Sequence, residues 1–416
     1  MSPSSPRAPA LGFIFITLVL LVLGFGIIIP VLPGLVTQFK GGSVSEGSHA
    51  YGWLIGVFAL MQFIASPVLG ALSDRFGRRK VLLIALAGSM VDNLVMGLAP
   101  SLGWLFVGRV IAGLTAGVIA TANAYIADVT PPEKRAQSFG LVGAAFGLGF
   151  IVGPAVGGLL GHIHLRLPFF VSAGCLMLNW LYGAFVLPES LPPERRRAFE
   201  WKRANPVGAL LLLRRFPGIL GLAGMYFLYF LGSIMLQSTW VLYTGYRYGW
   251  GTREVGLSLT FVGVATAIVQ ARLVRPILGG LGEKRGLAAG LMISAFVMTG
   301  YGLATQGWMI YVLILFGALG GIAGPAAQSL ISRHVPADEQ GAVQGVLASL
   351  GSLAGIFGPP VAAWSFGLCV APDTFLHLPG VAFFESAAIF LLALGLAVRA
   401  FQADAAAVRA APIPSA

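Results

Sequence analysis

The chain has 416 residues, 57% hydrophobic and 10% charged, with a mean hydropathy of +0.86. An ordinary soluble domain carries about a quarter charged residues, so these are too few to cover a water-facing surface, and no room remains for a soluble catalytic domain. The net charge of +11 comes from 26 Lys and Arg against 15 Asp and Glu; the cations stand between apolar runs, where they read as membrane topology rather than nucleic-acid recognition.

At about 20 apolar residues per helical crossing, the length accommodates about twelve spans. The first run, Ala8 to Phe39, is too long for a signal core, and Pro30 and Pro33 stand where small residues would be needed for cleavage. It reads as a retained first helix. Charge-free stretches place the spans at 11–33, 51–72, 80–99, 103–127, 137–161, 167–187, 217–244, 254–276, 286–305, 308–332, 340–367 and 378–400. Gly286 to Ser332 is charge-free throughout and too long for one helix, and Thr305-Gln306-Gly307 is the natural turn within it.

With the N-terminus inside, only Lys40, Arg166, Arg247 and Arg253 fall outside and Arg109 falls deep within a span; every other Lys and Arg sits in a cytoplasmic segment or at the cytoplasmic end of a span. That bias puts both termini in the cytoplasm. The longest polar stretch, Pro188 to Phe216, separates six spans from six. The expected organisation is a first half over 1–187, a cytoplasmic linker over 188–216, a second half over 217–400, and a cytoplasmic tail without fixed structure over 401–416. Cys175 and Cys369 make no disulfide framework, and the five His lack metal spacing.

The halves repeat at a constant offset of 205 residues: Gly77-Arg78-Arg79-Lys80 meets Gly282-Glu283-Lys284-Arg285, Glu133 meets Asp338, Gly140 meets Gly345, and Gly153-Pro154 meets Gly358-Pro359. Two parallel six-helix halves predict a site between them near the midplane, with access alternating as the halves rock.

These residues also carry a family resemblance over essentially the whole chain. Gly70 through Lys80, with Asp74, Arg75, Gly77, Arg78 and Arg79, resembles the signature loop of the major facilitator superfamily. Arg109-Val-Ile-Ala-Gly113 is similar to the arginine motif of its proton-coupled members, and Gly149 through Gly158 to its antiporter motif. Tyr51-Gly52-Trp53, Ala59 through Phe63, Ala124 through Asp128, Leu187-Pro188-Glu189-Ser190 and Gln328 through Gln344 resemble the tetracycline efflux group within it. Two positions depart from that group: Leu21 and Ser294 stand where its members carry aspartates. The resemblance implies an all-α membrane protein of twelve helices in two pseudo-symmetric six-helix bundles.

Asp92 and Arg109 are the ionisable residues placed well inside spans of the first half. An intramembrane charge is a functional candidate by default. At 1.5 Å per residue the two lie at similar depth, which predicts that they pair, and that protonation of Asp92 loosens the pair. By resemblance, Asp74 touches the second half and holds the cytoplasmic side shut, with Asp128 and Arg135 in the same latch. Glycines at 70 and 77 predict a tight turn with close helix approach. Gly149, Gly153, Gly157 and Gly161 share one face of span five, where a neighbour can pack backbone to backbone, and Pro154 disturbs the helix between them; Gly158 lies beside that face. Candidate substrate contacts are Gln62, Asn123, Gln237, Trp240, Gln270 and Gln328, and Glu385 is a spare carboxylate.

The expected function is secondary active export of a small drug-like compound, tetracycline-like in one reading, across a bacterial plasma (inner) membrane in exchange for protons. The alternative is a proton-independent facilitator or metabolite exporter of the same fold, motivated by Leu21 and Ser294. No nucleophile or metal constellation points to an enzyme, no cofactor is expected beyond the proton gradient, and the expected partners are substrate, protons and lipid, with the chain a monomer.

Overall fold

The computed structural model describes residues 8–131, 134–200, 205, 208, 219–335 and 340–410. Among them no strand occurs, and twelve helices are long and apolar enough to cross a membrane. In order these spans are Leu11–Phe39, Val44–Phe76, Arg78–Leu98, Leu102–Val129, Gly140–Ile163 and Leu167–Phe185, then Leu220–Tyr248, Thr252–Leu281, Glu283–Leu303, Gly307–Arg333, Val343–Val370 and Val381–Ala403. Each overlaps one predicted span. Several run on past the apolar stretch, because charge marks where lipid ends and not where backbone hydrogen bonding ends. Span two starts at Val44 rather than 51, where the Ser43 side chain accepts from the Glu46 N–H and caps the helix.

Four spans are irregular. Span one is interrupted at 29–31, next to Pro30 and Pro33. Span four breaks between Leu114 and Val118, and span ten between Gly320 and Ala323; the two breaks are repeat equivalents. Span eight holds a π turn, Val269–Leu273, between α-helical segments Thr252–Ile268 and Val274–Leu281.

The chain forms two compact units: 1–206 with 241–264, and 207–240 with 265–416. The first unit's core gathers Leu18, Leu21, Leu86, Ala122 and Tyr125. Lipid gives helices no hydrophobic reason to associate, so close packing and interhelical hydrogen bonds hold such a bundle. Asn179 donates to the Thr17 carbonyl at 2.9 Å and Ser172 to the Gly24 carbonyl at 3.1 Å, both tying span six to span one. In the second unit Met235, Ala362 and Ala382 form one buried cluster, and the Tyr301 ring packs edge-on to Trp240 and tilted against Phe383. Each unit joins its second and third spans through a glycine with positive φ, Gly77 at 102° and Gly282 at 77°.

Candidate functional site

Asp92 on span three and Arg109 on span four are both buried, and Arg109 Nη2 donates to Asp92 Oδ2. Gly108 permits the approach, since a Cβ there would lie 2.8 Å from Asp92 Oδ1. The same guanidinium nitrogen is 2.8 Å from Met96 Sδ, and the guanidinium lies over the Phe58 ring, 5.6 Å from its centroid. Among the described residues, Asp92 Oδ1, Arg109 Nε and the neighbouring Asn93 Oδ1 are buried without a hydrogen-bond partner. Burying two charges is costly, and their attraction offsets that only when the remaining lone pairs and protons are also bonded. This pair is therefore incompletely satisfied, which leaves it responsive to a change of charge.

At the opposite end of span three, Arg78 binds three acceptors: Asp74 Oδ1 at 2.6 Å, Ser73 Oγ at 2.6 Å and Asp128 Oδ2 at 3.1 Å. Ser190 Oγ also donates to Asp128 Oδ2, at 3.1 Å. Glu189 Oε1 accepts the backbone N–H groups of Arg78 at 2.8 Å and Arg79 at 3.4 Å, and those of Ser190 and Leu191, both at 3.1 Å. A carboxylate on the exposed amides of a helix start is favourable both as a cap and against the helix dipole. Gly77 is required here twice over, by its positive φ and because a Cβ would overlap the Glu189 carboxylate. Gly70 differs from expectation: it lies inside span two, and a Cβ there would meet nothing within 4 Å. Arg75 stacks on Phe76 at 5.0 Å, and Arg79 reaches the Gly183 and Ala184 carbonyls. The side chain of Arg135 lies outside the described residues.

Span five packs through its glycines. A Cβ at Gly149 would lie 2.6 Å from Val22, one at Gly153 would lie 2.7 Å from Gly26 Cα, and those at Gly157 and Gly161 would overlap Ile27 and Val31. All four belong to span one, so the predicted close face has its neighbour. Gly158 faces the other way, where a Cβ would lie 2.5 Å from the Thr252 carbonyl, and Thr260 Oγ1 donates to the Ile151 carbonyl at 3.0 Å. Span five is thus wedged within the first unit between span one and the 252–264 segment.

The substrate candidates separate by environment. Gln62 and Asn123 are half-buried, and Gln237, Gln270 and Gln328 are exposed. Trp240 is 3% exposed against Tyr301, so its ring belongs to the second unit's core. Gln270 sits in the π turn and donates to the Gly321 carbonyl at 3.4 Å, at the break in span ten. Gln328 donates to Gln344 Oε1 of span eleven at 2.9 Å. Glu385 is half-buried on span twelve and accepts from Ser365 at 2.9 Å. Leu21 is 1% exposed in an apolar core, and Ser294 packs against Gly320.

Sequence reasoning gave no role to Glu189, Ser190, Ser329, Glu283 or Arg333. For the last two a signal existed, since they stand 205 residues after Arg78 and Asp128. In the structure Glu283 Oε1 accepts from Arg333 and from Ser329, both at 2.7 Å.

Comparison with known proteins places this geometry in a family. The chain is 40% identical over 389 residues to tetracycline resistance protein class C of Escherichia coli, covering 92% of this chain and 95% of that one. It is 39% identical over 344 residues to the class G protein of Vibrio anguillarum, covering 81% and 85%. Among solved structures it is similar to the human organic anion transporter MFSD10, at 25% identity and a TM-score of 0.70, covering 95% of this chain and 100% of that one. The Major Facilitator Superfamily profile matches residues 14–359. With twelve membrane-capable helices, a signature-loop network and a glycine-packed fifth span, the chain is an integral membrane protein and belongs to the Major Facilitator Superfamily of transporters.

Proposed function

We propose that the protein is a secondary active exporter that moves an amphipathic, drug-like organic compound out of the cell by alternating access, in exchange for protons. The observation that carries this reading is the buried, incompletely bonded Asp92–Arg109 pair. It is a charge switch held inside the helical bundle. Protonating Asp92 removes the charge that holds Arg109, so the two protonation states favour different arrangements of spans three and four. The Arg78–Asp74–Asp128 network is proposed as the latch that responds. The tetracycline resistance proteins among the relatives support a drug-like cargo, and the similarity to an organic anion transporter extends the class to organic anions. The protein is proposed to act as a monomer in a bacterial plasma membrane with both termini cytoplasmic, driven by the proton gradient alone and needing no cofactor.

Purified protein in liposomes, challenged with a panel of tetracyclines, organic cations and organic anions, tests this reading. Substrate should move uphill when a pH gradient is imposed and stop when it is collapsed. Transport that continues unchanged after collapse would replace it with a proton-independent facilitator. That second reading is favoured by Leu21, which stands in an apolar core, and by Ser294.

A further inference from the structure

The second unit contains an ion pair that repeats the first unit's latch with its polarity inverted. Arg78 opens span three and Asp128 lies in the last turn of span four, whereas Glu283 opens span nine and Arg333 closes span ten. An acid at a helix start and a cation at a helix end are each stabilised by the helix dipole. The second-unit pair obeys that rule and the first-unit pair opposes it, which is why span three needs the borrowed carboxylate of Glu189. Glu283 needs no such helper at its own helix start.

Glu283 nevertheless has one oxygen to spare. Oε1 takes both Arg333 and Ser329, while Oε2 is buried without a partner among the described residues. A buried carboxylate oxygen left unbonded is unfavourable, so a third partner for it would be stabilising. Glu283 borders a cavity of about 470 Å³ that is also lined by Arg275, Leu278, Gly279 and Arg333. Arg275 is exposed and makes no ion pair among the described residues. It lies in Val274–Leu281, the segment of span eight that follows the π turn. A π turn is an α-helix holding one extra residue, and such turns are frequent at functional sites. This one is fastened by Gln270 to the Gly321 carbonyl where span ten is itself interrupted. The segment bearing Arg275 therefore starts at a π turn and ends at a glycine, Gly282, of positive φ.

We propose that Arg275 is a gating residue of the second unit, closing across this cavity onto Glu283 Oε2 in one state of the transport cycle and withdrawn from it in the state described here. Glu283 then ties span eight to spans nine and ten, and the swing of Val274–Leu281 about the π turn is the movement that makes and breaks the tie. The inference rests on the exporter reading for its cycle, although the contact itself does not depend on which compound is carried.

Two measurements test it. In liposomes, Arg275→Gln should lower efflux about two- to fivefold, the loss of one solvent-accessible ion pair, and Arg275→Lys should keep roughly half or more of it, because the charge survives. Glu283→Gln should also lower efflux, and adding Arg275→Gln to it should cost nothing further, since coupled residues are not additive. Efflux by Arg275→Gln equal to that of the parent, or additive losses in the double variant, would overturn the proposal. The second measurement needs no substrate. With Cys175→Ser and Cys369→Ser as background, Arg275→Cys and Glu283→Cys together should be bridged by a short bifunctional thiol reagent and freed by reductant. If the cysteine-free background exports substrate but no bridge forms at any pH, the contact does not occur and the proposal fails. If the bridge forms while the background moves no compound of the panel, the exporter reading fails and the contact stands.

Discussion

Arg109 is a buried cation, held by one carboxylate oxygen, the Met96 sulfur and the face of one phenyl ring. Removing one member of such a pair strands the other, at a cost of about 3–5 kcal/mol. Asp92→Asn is therefore expected to lower the melting temperature in detergent as well as abolish uphill export. Asp92→Asn with Arg109→Gln should recover much of the stability, because no charge remains buried, while uphill export stays lost. Recovery of pumping in that double variant would reduce the pair to a structural role. Glu189 offers a second case at this scale. Four backbone amides converge on one of its oxygens, so Glu189→Gln should destabilise the protein by about 1 kcal/mol, as loss of a charged helix cap does. Urea denaturation, or a thermal melt read as a free-energy difference, checks it, and an unchanged midpoint would show that the cap carries no load. The Asp92–Arg109 pair was legible because two residues at equal depth on consecutive spans can meet. Glu189 was not legible in that way, since its partners are main-chain amides and no spacing of side chains announces them.

Span five shows what periodicity can and cannot tell. Glycines every four residues define a face, but any of several neighbouring helices fits such a face, and only the fold selects span one. The face also divides glycines that packing requires from those it does not. Gly157→Ala drives a Cβ into the Ile27 backbone, which no side-chain rotation relieves, and is expected to destabilise by about 1–3 kcal/mol. Gly147, on the same helix, would place its Cβ with nothing inside 4 Å. Gly147→Ala should be neutral, or stabilising by up to about 1 kcal/mol through helix propensity. Melting curves of the two variants side by side check this, and equal losses would mean that the close face is not what holds spans one and five together. Gly70 is the opposite lesson: it shares a motif with Gly77, yet in this arrangement only Gly77 needs to be glycine.

At the scale of the whole molecule, the number of crossings was readable because the bilayer demands a minimum apolar length of every crossing and keeps most charge out of it. Reporters fused after Arg79, Arg197 and Arg285 should all read cytoplasmic, and an external reading at Arg197 would refute six crossings on each side of the linker. The interruptions inside spans four and ten were not readable from charge or hydropathy. The breaks in spans four and ten exchange i→i−4 bonds for i→i−3 bonds, Ala116 to the Gly113 carbonyl at 3.2 Å and Ile322 to the Leu319 carbonyl at 3.2 Å. Shorter rings of this kind have poorer geometry and open more easily than α-helical ones. In heavy water the two breaks should consequently take up deuterium well before the residues above and below them. Each long helix would then behave as two protected rods joined by one leaky turn, and an isotope map of the resting protein would show a matched pair of soft spots, one in each half of the chain.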